Sequence, residues 1–225
     1  MYKKTFTKND LTKRIKSLGL NLKVILSNSS HSYIKTYKDS RNNLEIKNIL
    51  GKEGSLEIGE YTYGSINLQA YSNKFYISIG SYSSISEITI LIGGNHHSDI
   101  STFPFKTLFM KYPIESDNFA PKGIKIGHDV WIGYGSIILD GSNIGTGAII
   151  GAGTVIRGNI PPYSVVIGNP GTIIKYRFNE EEIKMLLSSE WWTLSKENLL
   201  KINHLLYSKD VKTFVSKVKQ LRDAV

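Results

Sequence analysis

The sequence of 225 residues contains no cysteine. This absence excludes disulfide bonds, a thiolate nucleophile and a cysteine-ligated zinc site. The chain also lacks any apolar run near the ~18–20 residues that cross a bilayer. Its first residues, MYKKTFTKNDLTKR, contain no apolar signal core. We therefore expect a cytoplasmic protein without a membrane span.

Acidic side chains are scarce relative to basic ones, with 19 Asp and Glu against 28 Lys and Arg and a formal net charge of +9. Such a balance suits nucleic acid, an anionic membrane surface or an anionic small ligand, and equally an ordinary solvated surface. No helix-turn-helix, zinc-finger or RNA-binding signature is present, so we expect no nucleic-acid partner. Much of the excess lies near the N-terminus: Lys3, Lys4, Lys8, Lys13, Arg14, Lys16 and Lys23.

The strongest pattern is an isoleucine at every sixth position between residues 126 and 156. Glycine follows four of these isoleucines, and a small or β-branched residue lies four positions after each of the first five. Neither an α-helix nor a flat strand has this period. The isoleucines are Ile126, Ile132, Ile138, Ile144, Ile150 and Ile156, the glycines are Gly127, Gly133, Gly145 and Gly151, and the small residues are Val130, Ser136, Ser142, Ala148 and Thr154.

A period of six is typical of a triangular coil in which each side is a short strand and each corner a tight turn. We predict an all-β core of stacked coils, three hexads to a coil, with the isoleucines pointing inward. The small residues are expected to face the crowded corners. We expect the glycines to supply the backbone angles that the turns need.

A weaker block of the same pattern begins near Ile58-Gly59 and Ile79-Gly80, and the register then breaks from about residue 93 to 123. We therefore divide the chain into an N-terminal extension (1–55) of unknown role, a coil domain (56–175) with a loop excursion (93–123), and a C-terminal helical segment (176–225). Long loops on rigid scaffolds commonly carry function.

The repeat ends after the string GNPG at residues 168–171. Asn179, followed by three glutamates, predicts the start of a helix. Apolar residues at helical spacing predict one helix over 183–200 and a second over about 201–221. In the extension, residues 11–18 form a short amphipathic candidate.

Two of the five histidines, His96 and His97, lie in the loop excursion near Asp99. Imidazole is the natural general base at neutral pH, because its unperturbed pKa is about 6.5. The pair also suits an ordinary surface loop, or a metal site for which no third ligand is obvious. We expect no metal.

The loop string GNHHSDISTFPF at residues 94–105 resembles the loop of the hexapeptide-repeat xenobiotic acetyltransferases. These include streptogramin and B-type chloramphenicol acetyltransferases and related sugar O-acetyltransferases of polysaccharide clusters. The resemblance continues through DVWIG (129–133), IGNP (167–170) and the tryptophan pair at 191–192, and it covers residues 56–200. It implies a left-handed parallel β-helix, acetyl-CoA as donor, and a homotrimer with its active sites between subunits.

The resemblance also implies roles for single residues. His96 matches the family's catalytic base, and the backbone N–H of Tyr134 matches an oxyanion donor in related transferases. Trp131 matches a residue beside the pantetheine arm of the coenzyme. The other expected coenzyme contacts are Gly133, Ala152, Arg157, Lys175 and Arg177, and the expected acceptor contacts are Tyr61, Tyr63, Asn95 and Asp99.

These observations favour direct acetyl transfer to a hydroxyl, or to an amine, of a sugar in surface polysaccharide synthesis. The basic N-terminal segment suits proximity to an anionic membrane surface. One alternative is an antibiotic-inactivating acetyltransferase, although those compact enzymes lack a comparable extension of about 50 residues before the first coil. A non-catalytic β-helix scaffold is an alternative of another class.

Overall fold

The computed structural model describes residues 5–6, 37–39, 44–47, 53–71, 74–113 and 116–223. Most of the predicted extension, including the basic cluster, the amphipathic candidate and His31, lies outside these ranges. The described strands are β1 (Thr5–Phe6), β2 (Tyr37–Asp39), β3 (Leu44–Lys47), β4 (Glu53–Ile58), β5 (Tyr63–Ala70), β6 (Lys74–Ile79), β7 (Ser84–Ile92), β8 (Ile124–Ile126), β9 (Trp131–Ile132), β10 (Ile137–Leu139), β11 (Asn143–Ile144), β12 (Ile149–Ile150), β13 (Val155–Ile156), β14 (Asn159–Ile160), β15 (Ser164–Ile167) and β16 (Thr172–Tyr176).

The strands between β4 and β15 pair in parallel and define three faces. Face A consists of β4, β6, β8, β11 and β14. Face B contains β9, β12 and β15, and face C contains β10 and β13. The long strands β5 and β7 run along face B and then face C, since Ser84 of β7 pairs with Trp131 and Leu91 pairs with Leu139. Antiparallel pairs occur at the ends of the sheets, where β1 joins β4, β2 joins β3 and β16 joins β15.

The parallel register confirms a coil of three hexads. On face A, Lys125 pairs with Asn143, which lies 18 residues later in the sequence. All six predicted isoleucines are at most 3% exposed, and they form one core with the buried residues of β5, β6 and β7. The five small residues are buried as predicted, and the Ser136 hydroxyl bridges the carbonyls of Gly133 and Gly151 at 2.8 and 3.0 Å.

The glycines that follow the isoleucines have a different purpose from the one predicted. None of these four has a positive φ angle. A Cβ on Gly127 would instead lie 2.5 Å from the backbone nitrogen of Thr146 in the next coil, and one on Gly133 would lie 2.5 Å from that of Ala152. These glycines therefore allow close stacking of coils. The left-handed angles occur two residues later, as at Gly135 (φ 70°) and Gly153 (φ 67°).

Three corners join the faces. Corner AB joins face A to face B, corner BC joins face B to face C, and corner CA joins face C to face A of the next coil. Corner AB differs from the others because four residues other than glycine take left-handed backbone angles there. They are Tyr61, Tyr82, Asp129 and Tyr163, with φ between 53° and 62°. This conformation costs roughly 1–2 kcal/mol for an ordinary residue, so the packing at this corner must hold it in place.

The C-terminal segment covers corner AB with short helices. They are α2 (Glu180–Ser189), a 3₁₀ turn (Trp191–Thr193), α3 (Lys196–Lys201), α4 (Asn203–Leu206) and α5 (Val211–Asp223). Asn179 is the N-cap of α2, as predicted, and it forms a capping box with Glu182. The prediction of one helix over 183–200 is wrong, because Glu190 takes a left-handed φ of 44° and ends α2. The second predicted helix is also divided, since Asp210 accepts a hydrogen bond from the Thr213 N–H and starts α5.

Packed aromatic rings attach this segment to the coils. The ring centroids of Tyr82 and Trp191 lie 5.7 Å apart, and the His128 ring stacks on Trp192 with centroids 4.8 Å apart. Tyr163 is 2% exposed and belongs to the same apolar cluster as Leu186 and Phe214. No helix within the described ranges is long and apolar enough to cross a membrane.

Candidate functional site

The loop excursion leaves the coil after β7, returns at β8, and so lies at corner CA. It contains the short helix α1 (Phe105–Leu108). Glycines in left-handed conformations begin and end it, with φ of 72° at Gly94 and 79° at Gly123. Its two ends run antiparallel, because the Phe119 N–H donates to the Asn95 carbonyl at 2.9 Å. The loop is therefore internally braced.

His96 lies on this antiparallel bridge, opposite Asn118. Its Nδ1 is 2.8 Å from the carbonyl oxygen of Thr102. A carbonyl oxygen only accepts, so Nδ1 carries the proton and donates it. In the neutral ring Nε2 then keeps an unprotonated lone pair. The side chain is exposed, so this lone pair is available to take a proton from a substrate.

The other polar residues of the loop string have different surroundings. The His97 ring packs on Phe119 with centroids 4.3 Å apart, and its backbone N–H donates to the Asp117 carbonyl. Asn95 and Asp99 are exposed near His96 in the sequence. The loop therefore presents one imidazole whose tautomer is fixed and one whose ring packs against an aromatic neighbour.

Three of the predicted binding residues share one outward-facing row on face B. Tyr63 pairs with Ser84, and Ser84 pairs with Trp131. The row continues through Ile149 and Val165 to Lys175 of β16. Tyr63 and Trp131 are 51% and 55% exposed. At about 4.8 Å per strand, Trp131 lies roughly 10 Å from Tyr63 and 14 Å from Lys175 along the row.

Corner BC borders this row and carries three more predicted residues. Gly133 and Tyr134 follow Trp131 directly, and Ala152 lies one coil above. The Gly153 N–H donates to the Tyr134 carbonyl at 2.8 Å. Within the described part of the chain, the Tyr134 N–H has no hydrogen-bond acceptor. Nothing lies within 4 Å of a Cβ built on Gly135 or Gly153, so this corner is open to a ligand.

The remaining predicted residues lie elsewhere. Tyr61 is at corner AB, where its ring stacks on Tyr82 at 5.1 Å. The Arg177 guanidinium at the same corner donates to Asp129 Oδ2 at 3.3 Å and to the Gly147 carbonyl at 2.7 Å. These contacts brace the strained corner, and a role of Arg177 toward the coenzyme stays a prediction. Arg157 follows Ile156 at corner CA.

One chain therefore does not gather all of these residues on one edge. The loop that carries His96 starts and ends at corner CA, whereas Trp131 and Tyr134 lie on face B and at corner BC. Face C separates these two corners. No group of three potential metal ligands occurs among the residues that the structure describes.

The sequence of the coils places the chain among known proteins. The sequence family described as "Bacterial transferase hexapeptide (six repeats)" matches residues 123–158. The chloramphenicol acetyltransferase of Agrobacterium fabrum (strain C58) is 35% identical over 181 residues, which cover 71% of this chain and 86% of that protein. The chain belongs to the hexapeptide-repeat acetyltransferase family. It is an acetyltransferase, and its acyl donor is acetyl-CoA.

Other members of the hexapeptide-repeat acetyltransferases carry different acceptors in their names. Virginiamycin A acetyltransferase of Staphylococcus aureus is 35% identical over 202 residues, covering 83% of this chain and 92% of that protein. A putative lipopolysaccharide biosynthesis O-acetyl transferase of Escherichia coli K-12 is 32% identical over 109 residues, covering 47% of this chain and 52% of that protein. The family thus includes relatives named for antibiotics and for a polysaccharide.

Sequence reasoning missed three residues that organise this hexapeptide-repeat acetyltransferase. Asp140 and Asp117 accept backbone hydrogen bonds that hold the loop. His128 accepts the Ser81 N–H through Nδ1 at 3.0 Å and stacks on Trp192. Burial lowers the pKa of His128, against a weaker raising effect of Glu190. The contacts of Asp140 and His128 join residues more than 15 positions apart, so no local pattern announces them.

Proposed function

We propose that this protein transfers the acetyl group of acetyl-CoA to a hydroxyl group of a sugar used in surface polysaccharide synthesis, with His96 as the general base. The observation that carries this proposal is the hydrogen bond between His96 Nδ1 and the Thr102 carbonyl. It leaves Nε2 on an exposed loop as the proton acceptor. A scaffold protein has no need for such a fixed tautomer, which argues against the non-catalytic alternative.

The proposed reaction is a direct transfer. Nε2 of His96 takes the proton of the acceptor hydroxyl while its oxygen attacks the thioester carbonyl carbon. The Tyr134 N–H donates a hydrogen bond to the developing oxyanion. The C–S bond then breaks, and the proton held by His96 passes to the coenzyme A sulfur, which leaves as the thiol. An amine of an amino sugar would react in the same way.

The outward row on face B suits the donor. Trp131 offers an exposed apolar surface to the pantetheine arm. Gly133 and Ala152 place little side-chain bulk at the neighbouring corner BC. Lys175 at the end of the row, Arg157 at corner CA and Arg177 at corner AB are the cations proposed for the phosphates. Tyr63, two strands below Trp131, lies on the side where the acceptor would enter, together with Tyr61 at the adjoining corner.

The proposed assembly is a homotrimer of left-handed β-helices. His96 at corner CA and Trp131 on face B lie on opposite sides of face C, so a neighbouring subunit is needed to bring the two kinds of residue together. Outward residues also favour contact, since face C presents Ile137 and Val155 where face A presents Lys125 and Asn143. The proposal places the reaction in the cytoplasm.

A subunit-mixing experiment tests the shared site. His96→Ala and Trp131→Ala variants are purified separately, mixed, and exchanged through mild denaturant. If each site combines residues from two subunits, the mixed trimers regain part of the wild-type turnover, although neither parent is active. Sedimentation equilibrium must give a trimer. Monomers, or mixed trimers without recovery, contradict the shared site.

A second candidate acceptor is an antibiotic. It is favoured by the relatives named for chloramphenicol and virginiamycin, of which the alignments cover 86% and 92%. Thiol release from acetyl-CoA decides between the two acceptors, with one panel of nucleotide-linked sugars and glycan fragments and another of chloramphenicol and streptogramins. Release with sugars alone supports the polysaccharide proposal. Release with antibiotics alone contradicts the polysaccharide proposal and supports an antibiotic-inactivating acetyltransferase.

A further inference from the structure

The antiparallel bridge that carries His96 is joined to the segment that supplies the Thr102 carbonyl through one aspartate. The backbone carbonyl of Asp117 accepts the His97 N–H at 3.0 Å, one residue after the proposed base. Its carboxylate Oδ2 accepts the Thr107 N–H of α1 at 2.6 Å. Asp117 thus contacts both the strand that bears the imidazole and the helix that follows Thr102.

The segment between Thr102 and α1 is stiff enough to transmit this contact. The Phe103 N–H donates to the Ser101 hydroxyl at 3.1 Å, and the Phe105 N–H donates to the Phe103 carbonyl at 2.9 Å. The rings of Phe103, Phe105 and Phe109 pack together with centroids 4.9–5.5 Å apart. A displacement of α1 would therefore move the Thr102 carbonyl away from His96.

The carboxylate of Asp117 is well suited to this position. Burial acts to raise the pKa of Asp117, but hydrogen bonds from the Thr107 side chain and from the amides of Thr107 and Lys106 lower it on balance, with help from the Lys106 charge. The group stays ionised at neutral pH, and charge-assisted hydrogen bonds to backbone amides are stronger than neutral ones.

We infer that Asp117 is a positioning residue for His96, which holds the Thr102 carbonyl against Nδ1 and so keeps the proton off Nε2. This inference rests on the proposed function, because it concerns the same imidazole. It goes beyond that function by naming the group that fixes the geometry of the base. Residues of this kind commonly change activity by about 10–100-fold when removed.

The test compares Asp117→Ala with Asp117→Asn, whose amide oxygen still accepts the Thr107 N–H. We expect Asp117→Ala to lower kcat about 10–100-fold with the KM for acetyl-CoA within about twofold of wild type, and Asp117→Asn to keep most of the activity. Asp210→Ala is the matched control, because that carboxylate also caps a helix but lies in the C-terminal segment. It is expected to leave kcat unchanged.

The tautomer of His96 gives a readout that does not depend on activity. Nitrogen-15 NMR of the imidazoles, assigned with His96→Gln, is expected to show Nδ1–H in wild type and Asp117→Asn, and a shift toward Nε2–H in Asp117→Ala. An unchanged tautomer or an unchanged kcat in folded Asp117→Ala overturns the inference. If His96→Gln itself keeps wild-type turnover, the proposed function fails instead, whatever the tautomer.

Discussion

The carboxylate of Asp140 holds the backbone of Gly123, whose N–H donates to Asp140 Oδ1 at 2.9 Å. The Lys122 N–H donates to both oxygens of the same carboxylate at 3.1 Å, and the Gly141 N–H donates back to the Gly123 carbonyl at 2.9 Å. This cluster of hydrogen bonds lies where the loop excursion re-enters the coil. Asp140 therefore anchors the loop that carries His96.

We predict that Asp140→Ala loosens the loop. The part-buried Gly123 N–H loses its acceptor, which costs about 1–3 kcal/mol, whereas the exposed Lys122 N–H can bind water instead. Trypsin is expected to cut the loop at Lys106, Lys111 or Lys122 faster than in wild type. Asp140→Asn is the control, because Oδ1 alone accepts from both amides. Equal cleavage rates for wild type and Asp140→Ala would contradict the anchoring role.

A second prediction concerns the stacking of coils at the corners. Gly127→Ala places a Cβ about 2.5 Å from the Thr146 nitrogen, and such overpacking typically costs about 1–3 kcal/mol. Gly158→Ala meets nothing within 4 Å but has a φ of 81°, so it bears only the backbone cost of ~1–2 kcal/mol. Urea unfolding should rank Gly127→Ala as the less stable variant. The reverse order would contradict close approach to Thr146 as the reason for glycine at position 127.

The third prediction is a pH dependence of stability from His128. Burial lowers its pKa in the folded protein, whereas the unfolded chain binds the proton near the ordinary value of about 6.5. The stabilisation is therefore complete above pH 6.5 and is lost as the pH falls toward the folded-state pKa. Protonation of Nδ1 would also remove the acceptor for the Ser81 N–H.

Thermal melting between pH 7 and 5 measures this effect. His128→Asn keeps an acceptor near the Nδ1 position but does not titrate, so its Tm should fall less steeply with acidification than that of wild type. His204→Asn, at an exposed position, should keep the wild-type slope. Parallel slopes of Tm against pH for wild type and His128→Asn would show that protonation of His128 does not cause the pH dependence of stability.

A fourth prediction separates two cations. Lys175→Met should raise the KM for acetyl-CoA several-fold, because the row on face B ends at this lysine, but should leave the KM for acetyl-pantetheine unchanged. Arg177→Met should lower the Tm, because it removes the ion pair with Asp129 and the hydrogen bond to Gly147. A rise in KM for both donors in Lys175→Met would contradict a contact between Lys175 and the phosphates.

The repeat could be predicted because the position of each residue within the six-residue period determines whether its side chain points inward. An isoleucine at every sixth position must point to one side of a three-sided coil, and all six are buried. The purpose of Gly127 could not be predicted, since its reason lies at Thr146 in the next coil. The N-cap at Asn179 could be predicted from the sequence, whereas the turn at Glu190 could not, because apolar spacing continues across it.

The candidate site divides in the same way. His96 was found from a string of neighbouring residues, but its tautomer depends on Thr102, and the rigidity of the loop depends on Asp117 and Asp140. These partners are brought close by the path of the loop, which no periodic pattern describes. Likewise, the row from Tyr63 through Trp131 to Lys175 exists only once the register of the strands is known.

Thiol release from acetyl-CoA by His96→Ala shows whether His96 is the general base. With an acceptor that the wild type uses, we expect kcat to fall about 10²–10⁴-fold. The KM for acetyl-CoA should stay near the wild-type value, since no coenzyme contact is assigned to His96. His204→Ala should keep full activity. Wild-type turnover by a folded His96→Ala variant would mean that His96 is not the general base.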